Sequence, residues 1–214
     1  MAEITKIDFE HPDPALKNAL NILIDGGIVA FPTETFYGLG VNALDKQAVS
    51  KVFQVKVRDI NKPLLVLIAS KEQLSDLTPS VNSTAKKLID FFWPGPLTLV
   101  FEAFPKLPEA LTGNTGKIGV RVSGSSFVRQ LCRFTGFPIT GSSANRSNNP
   151  ELSSAAEVME ALGDKIDLIL DGGKVAESQS STVLEVCDTV PKLIRPGIIR
   201  KSTIEDALGM RLKQ

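Results

Sequence analysis

Gly26-Gly-Ile-Val-Ala-Phe-Pro-Thr-Glu-Thr-Phe-Tyr-Gly-Leu-Gly40 marks where the pattern of this chain changes from helix to strand. Before it, Leu16, Leu20, Leu23 and Ile24 recur at helical spacing behind Asp13-Pro14, an Asp suited to an N-cap and a Pro suited to the first helical position. Gly26-Gly27 ends that helix. Ile28–Phe31 reads as a short buried strand, stopped by Pro32. Thr33–Gly40 reads as a loop, and Asp45 caps a second helix on which Val49, Val52 and Phe53 share a face. This order points to helices layered on a sheet.

The alternation continues. Leu64–Ile68 is continuously apolar, as expected of a strand covered on both faces. Asn82–Phe92 reads as a helix broken at Trp93-Pro94-Gly95-Pro96. Leu97–Phe101 and Ile118–Val122 read as strands, Ser125–Thr135 as a helix and Phe137–Thr140 as a short strand. Ser154-Ala-Ala-Glu157 is a capping box opening another helix. Leu168–Leu170, Thr182–Cys187 and Leu193–Ile194 read as strands, and Thr203–Leu208 as a last helix. Strands cluster near 97–122 and 168–194, so the order is not strictly βαβ. The expected class is α/β with α+β character, a mixed parallel and antiparallel sheet flanked by helices. No repeat, linker or shift in composition divides the chain, so one domain over residues 1–214 is expected.

Composition removes several classes of function. Lys and Arg number 24 and Asp and Glu 24, a balance that argues against tight non-specific binding of nucleic acid. Cys132 and Cys187 are isolated, with neither zinc-site spacing nor a disulfide framework, which suggests a reducing compartment. The start, Met-Ala-Glu-Ile-Thr-Lys, lacks an apolar signal, and no run approaches the ~20 apolar residues of a membrane span. A cytoplasmic location without membrane contact is expected. His11 reads as a surface residue and both Cys as core residues, with no partners for a nucleophilic triad.

Six polar segments remain. Lys56, Arg58 and Lys62 form a cationic cluster between a helix and a buried strand. They fit either a solvated helix end facing the helix dipole or an anion site, in which Arg grips phosphate bidentately and Lys acts as a point charge. Pro32–Gly40 packs two Thr, a Glu, the only Tyr and two Gly into nine residues, an ordinary turn or a ligand loop. Gly141-Ser-Ser-Ala-Asn145 is open to the same two readings. Arg121 interrupts the apolar strand Gly119-Val-Arg-Val122, so it lies at a sheet edge or holds a carboxylate or phosphate. Ser180-Ser-Thr182 and Arg195-Pro-Gly197 are polar strand ends. Gly113-Asn-Thr-Gly-Lys117 lacks the spacing of a P-loop.

In this order the segments resemble the Sua5/YrdC/TsaC family of threonylcarbamoyl-adenylate synthases, from about Ile24 to Gly197. The matching pieces are Pro-Thr-Glu-Thr-x-Tyr-Gly-Leu-Gly, Lys-x-Arg followed by Lys-Pro-Leu, Trp-Pro-Gly-Pro-Leu-Thr, Val-Arg-Val, Ser-Ala-Asn, Ser-Thr-Val and Arg-x-Gly. The resemblance implies a YrdC-like fold, a twisted mixed sheet around a deep positive cavity. It implies a nucleotidyltransferase that joins L-threonine, bicarbonate or CO2, and ATP into threonylcarbamoyl-AMP and pyrophosphate. A separate transferase complex would use the product to build t6A at tRNA adenosine 37, with a possible weak tRNA contact. The family signature falls on Lys56, Arg58, Ser143 and Asn145 as catalytic residues. ATP contacts fall on Lys56, Arg58, Lys62, Lys117, Ser143 and Arg195, and threonine contacts on Thr35, Arg121, Gly141 and Ser181. No protein metal site is implied; Mg²⁺ is expected to arrive with ATP.

The chain departs from the pattern at Leu67, where many members carry a His among the threonine contacts, and at Ser147-Asn148, where many carry Ser-Gly. The end at Gln214 suggests the short form without a C-terminal Sua5 domain. Two other functions fit the resemblance, an RNA-binding YrdC-like module without synthase activity and a carbamoyl-adenylate enzyme like the related domain of hydrogenase maturation factors. An aromatic-basic RNA-binding pattern is absent, and so are the acylphosphatase and zinc-finger segments of those factors.

Overall fold

A computed structural model describes residues 1–176 and 179–213. The first half runs β1 (Glu3–Lys6), α1 (Asp13–Ile24), β2 (Val29–Pro32), β3 (Tyr37–Gly40), α2 (Lys46–Lys56), β4 (Leu65–Leu67), a 3-10 turn (Lys71–Asp76), α3 (Ser83–Phe92) and β5 (Leu97–Glu102). The second runs α4 (Glu109–Thr112), β6 (Lys117–Arg121), α5 (Ser126–Thr135), β7 (Ile139–Thr140), β8 (Ser142–Ser143), α6 (Ala155–Leu162), β9 (Leu168–Asp171), β10 (Thr182–Glu185), β11 (Lys192–Arg195) and α7 (Lys201–Leu208).

The class is the expected mixed α/β one, but the strands divide into two sheets. One has the order β1-β9-β2-β3-β8 and the other β11-β10-β5-β6-β4-β7. The segment expected as the loop Thr33–Gly40 is largely a hairpin: β3 pairs antiparallel with β2, Phe31 opposite Gly38. Its two glycines hide the strand from a propensity reading. Asp13 does not cap α1. It is the first helical residue, behind Pro12, and makes no side-chain cap bond. Asp45 does cap α2, accepting from the amides of Gln47 and Ala48. The α6 capping box is shifted by one residue: Ser154 accepts from the Glu157 amide, while Glu157 reaches back to the amide of Ser153.

Side-chain alternation decides what each sheet face covers. In the six-stranded sheet, Leu97, Leu99, Phe101, Ile118, Val120 and Leu184 point into the main core with Val49, Val52 and Phe53 of α2. Thr98, Val100, Lys117, Gly119, Arg121, Val183 and Glu185 point the other way, onto a cavity. In the five-stranded sheet, Val29, Phe31, Leu168 and Leu170 pack under α1 and α5 in a second core, while Ala30 and Ile169 face the first.

The sheets are joined by one continuous segment. Thr140 in β7 pairs with β4, and two residues later Ser142 in β8 pairs with β3. Gly141 is the joint; its amide bonds the Leu65 carbonyl at 2.8 Å. A Cβ here would lie 2.6 Å from two atoms of the Leu67 side chain, so only glycine lets the strand pass.

Candidate active site

The cavity lies between the outward face of the six-stranded sheet and the β3–β8 edge of the five-stranded one. Its volume is about 490 Å³. Most of the residues singled out from the sequence line it: Thr35, Arg58, Lys117, Arg121, Gly141, Ser143, Ser181 and Arg195. Lys56, Lys62 and Asn145 do not.

The cationic cluster is split by its own backbone. α2 ends in a Schellman-type turn, with the Val57 amide on Gln54 O and the Arg58 amide on Phe53 O. Val57 occupies the left-handed position usual for glycine, with φ at 50°. Its side chain is exposed, and the conformation costs a β-branched residue about 1–2 kcal/mol. The reversal sends neighbours in opposite directions. Arg58 turns into the cavity, bracing itself on the carbonyls of Lys62 and Pro63 at 3.2 and 2.9 Å. Gly113, at φ 57°, lets the 59–63 loop lie close, since a Cβ there would come within 2.5 Å of Asn61 O.

Lys56 turns the other way and is 2% exposed. Its ammonium donates to the carbonyls of Ser143 and Asn145 and to Asn145 Oδ1. Asn145 Oδ1 also accepts from Ser143 Oγ at 2.6 Å, and the Asn145 amide donates to Asn149 O. Lys56 and Asn145 therefore shape the turn that presents Ser143, and their polar groups are committed within the protein. Burial, and next the Arg58 charge, pull the Lys56 pKa down to about 7, while Glu151 acts to raise it. Lys62 is an exposed loop residue whose carbonyl steadies Arg58.

Cationic charge concentrates at the cavity instead through three arginines. Burial and then Arg195 lower the pKa of Arg58; burial and Arg195 also lower that of Arg121, which Glu34 opposes. Arg195 donates to Ser181 O and Oγ at 2.9 and 3.1 Å, and Thr98 shares a 3.0 Å hydrogen bond with the same hydroxyl. Lys117 pairs with Glu185 at 3.0 Å, which raises its pKa.

Arg121 is in the interior of the sheet, not at its edge, and is 3% exposed. Its protein counter-charge is Glu34, 3.7 Å away, too far for a hydrogen bond. Arg121 Nε and Glu34 Oε1 are both buried and find no hydrogen-bond partner among the described residues. Buried donors in this condition are rare and expensive. A guanidinium with open donors on a cavity wall is suited to bind a carboxylate.

Tyr37 also lines the cavity, but its hydroxyl is committed within the chain. Tyr37 is buried, its hydroxyl donating to Gly173 O and accepting from the Gly172 amide; burial raises its pKa to about 12. His11 is exposed and Cys132 buried, as expected, but Cys187 is only partly buried. Leu67 is fully buried in the second core and packs on Gly141 behind the cavity wall, so an apolar residue suits its surroundings. Sequence reasoning did not single out Glu151 or Glu185 as cavity residues. Period-two counting from Ser181 through Val183 would have placed Glu185 on the same face. Glu151 sits in a coil and accepts from Ser180 Oγ at 3.0 Å; nothing in its sequence context signals this.

The Sua5_yciO_yrdC family model, described as "Telomere recombination", matches residues 21–197, and the chain belongs to that family. It is 40% identical over 198 residues to a threonylcarbamoyl-AMP synthase of Bacillus subtilis, covering 92% of this chain and 57% of that protein. A Pyrococcus abyssi protein of the same name is 39% identical over 194 residues, covering 91% of this chain and 57% of its own length. The crystal structure of P. abyssi Sua5 complexed with L-threonine superposes with a TM-score of 0.94 at 37% identity, over 99% of this chain and 63% of that one. The chain thus spans a little under three-fifths of the two sequence relatives it matches here.

Proposed function

We propose that this Sua5/YciO/YrdC-family chain is an L-threonylcarbamoyladenylate synthase, a nucleotidyltransferase making threonylcarbamoyl-AMP and pyrophosphate from L-threonine, bicarbonate or CO2, and ATP. The observation that carries the reading is the convergence of Arg58, Arg121 and Arg195 on one cavity ringed by the hydroxyls of Thr35, Ser143 and Ser181. Such a site suits two anions at once, a nucleotide phosphate chain and an amino-acid carboxylate. The likeness to synthases of B. subtilis and P. abyssi supports the same chemistry.

In this reading Arg121 takes the threonine carboxylate, while Thr35 and Ser181 meet its hydroxyl or amine. The amine attacks CO2 with loss of a proton to give the carbamate. A carbamate oxygen then attacks the α-phosphorus of ATP, and pyrophosphate leaves. The carbamate is already anionic, so this second step calls for alignment and charge neutralisation rather than a strong base. Arg58, Lys117 and Arg195 supply that charge, and Ser143, held by the Lys56–Asn145 strut, lines the phosphate side.

Of the two cavity carboxylates, one is free to meet the water shell of a magnesium ion that would enter with ATP. Glu185 is taken by Lys117, and Glu151, whose partner is a neutral hydroxyl, remains able to accept hydrogen bonds from metal-bound water. Mg²⁺ would shield phosphate charge. The product would pass in the cytoplasm to a separate transferase complex acting on tRNA adenosine 37, with at most a weak contact between tRNA and this chain. Among the described residues no helix is long and apolar enough to cross a membrane.

The test is to incubate the chain with ATP, Mg²⁺, bicarbonate and L-threonine and to look for threonylcarbamoyl-AMP by mass spectrometry. The expected outcome is product that depends on all three substrates and is abolished by Arg58→Ala, with the circular dichroism spectrum unchanged. Absence of product from the wild-type chain would refute the proposal.

A further inference from the structure

We infer that Glu34 determines specificity at this site: its carboxylate makes the Arg121 corner select an α-amino acid over a carboxylic acid that lacks the amine. The inference rests on the reading of Arg121 as the carboxylate anchor. Glu34 occupies the second position of the Thr33–Phe36 turn between β2 and β3, closed by a 3.1 Å bond from the Thr33 amide to Phe36 O. The Thr33 hydroxyl stiffens that turn, accepting from the Thr35 amide and donating to Phe36 O. Thr33 and Thr35 line the cavity, whereas Glu34 reaches across to the end of β6 in the other sheet.

There Glu34 Oε2 accepts a hydrogen bond from the Ser123 hydroxyl. Ser123 is fully buried, and its segment is locked by Arg129, which donates to the carbonyls of Ser123 and Gly124 at 2.8 Å each. The carboxylate is thereby fixed 3.7 Å from Arg121 Nη1. It balances the guanidinium charge without occupying its donors, and Oε1 keeps an unused acceptor. Burial acts to raise the Glu34 pKa, but the Arg121 charge and the Ser123 hydroxyl outweigh it, and the net shift is downward. The group is therefore anionic at neutral pH.

A ligand whose carboxylate meets Arg121 carries its α-substituent one bond from the carboxylate-bearing carbon. An α-ammonium there adds attraction to Glu34; a hydroxyl or hydrogen there leaves only repulsion between two carboxylates. At a charge separation of ~6 Å and an effective dielectric of ~20, the difference is worth at least about tenfold in binding ratio. The fixed dipole from Arg121 to Glu34 thus matches a zwitterion rather than an anion.

The experiment measures binding of L-threonine and of its analogue with hydroxyl in place of amine, by calorimetry, to the full chain and to Glu34→Gln and Glu34→Asp. ATP titration of each variant checks that the cavity is intact. Wild type is expected to prefer threonine at least about tenfold, Glu34→Gln to lose most of that ratio while binding ATP within about twofold of wild type, and Glu34→Asp to retain it. A ratio unchanged in Glu34→Gln, or lost equally in Glu34→Asp, would overturn the inference alone. A wild-type chain that binds neither compound would overturn the proposed function and this inference with it.

Discussion

Two charged residues, Lys56 and Arg121, are almost equally buried, at 2% and 3% exposure, and their surroundings differ sharply. Lys56 has an acceptor for each of its three protons, all on the Ser143–Asn145 turn. Arg121 has one counter-charge beyond hydrogen-bond reach and a buried Nε without a partner. A buried polar group that is fully satisfied by its own chain specifies structure, whereas one left open costs stability and is retained where a ligand completes it. On the proposed function, that contrast makes Lys56 part of the scaffold and Arg121 part of the binding surface, although the family resemblance implies a ligand role for both.

The largest effect that could break this comparison is on activity at Arg121. Arg121→Met should lower kcat/KM for threonine roughly 10³-fold, comparable to losing one partner of a buried charge pair. Its unfolding free energy should fall by only about 1–2 kcal/mol, because removing a desolvated cation with open donors offsets much of the cost of leaving the Glu34 carboxylate without its counter-charge. Next in size is Lys56→Met, expected to cost about 3 kcal/mol through the acceptors left without donors, read as a lower urea midpoint at unchanged m-value. Should Lys56→Met unfold no more easily than Arg121→Met, the scaffold assignment of Lys56 is wrong.

The pH dependence sharpens the point. The Lys56 pKa is about 7 in the folded chain against an ordinary 10.5. Between those values the unfolded chain holds a proton that the folded chain has released. Stability should therefore rise with pH across that window, and the rise should vanish in Lys56→Met. Denaturant midpoints at several pH values would register it. The smallest effect is at the residue that separates the two cations: Val57→Gly should stabilise the chain by about 1 kcal/mol, partly offset by the added freedom of glycine when unfolded. Thermal unfolding would detect it, and a lower melting temperature would mean the left-handed turn carries no strain.

Much of the fold was legible because its signals are local. The α2 cap at Asp45, the helix start at Ser154 and the buried strand at Leu64–Ile68 follow from side-chain chemistry within a few residues. What was missed depends on distant partners. β8 is two polar residues that become a strand only because β3 lies alongside, and β3 itself alternates with glycines. In the site, Arg121 was conspicuous as a charge in an apolar strand. The divergence of Lys56 from Arg58 was not, since nothing local predicts a left-handed valine. Glu34 was visible as part of a polar loop, but its pairing with Arg121 spans 87 positions and two sheets.

The passage of one strand from sheet to sheet at Gly141 also bears on how the chain reaches its native state. Thr35 and Ser143 come from one sheet and Arg121, Ser181 and Arg195 from the other, so a folding intermediate with a single sheet formed has no site to offer. On the proposed function, substrate would bind only the completely folded chain, and each ligand would raise the apparent stability of that state alone by mass action. A proteolysis-resistance assay with and without threonine and nucleotide would consequently read out docking of the two sheets. Residues at the Gly141 joint would influence how fast a newly made chain becomes able to bind, even where they touch no substrate.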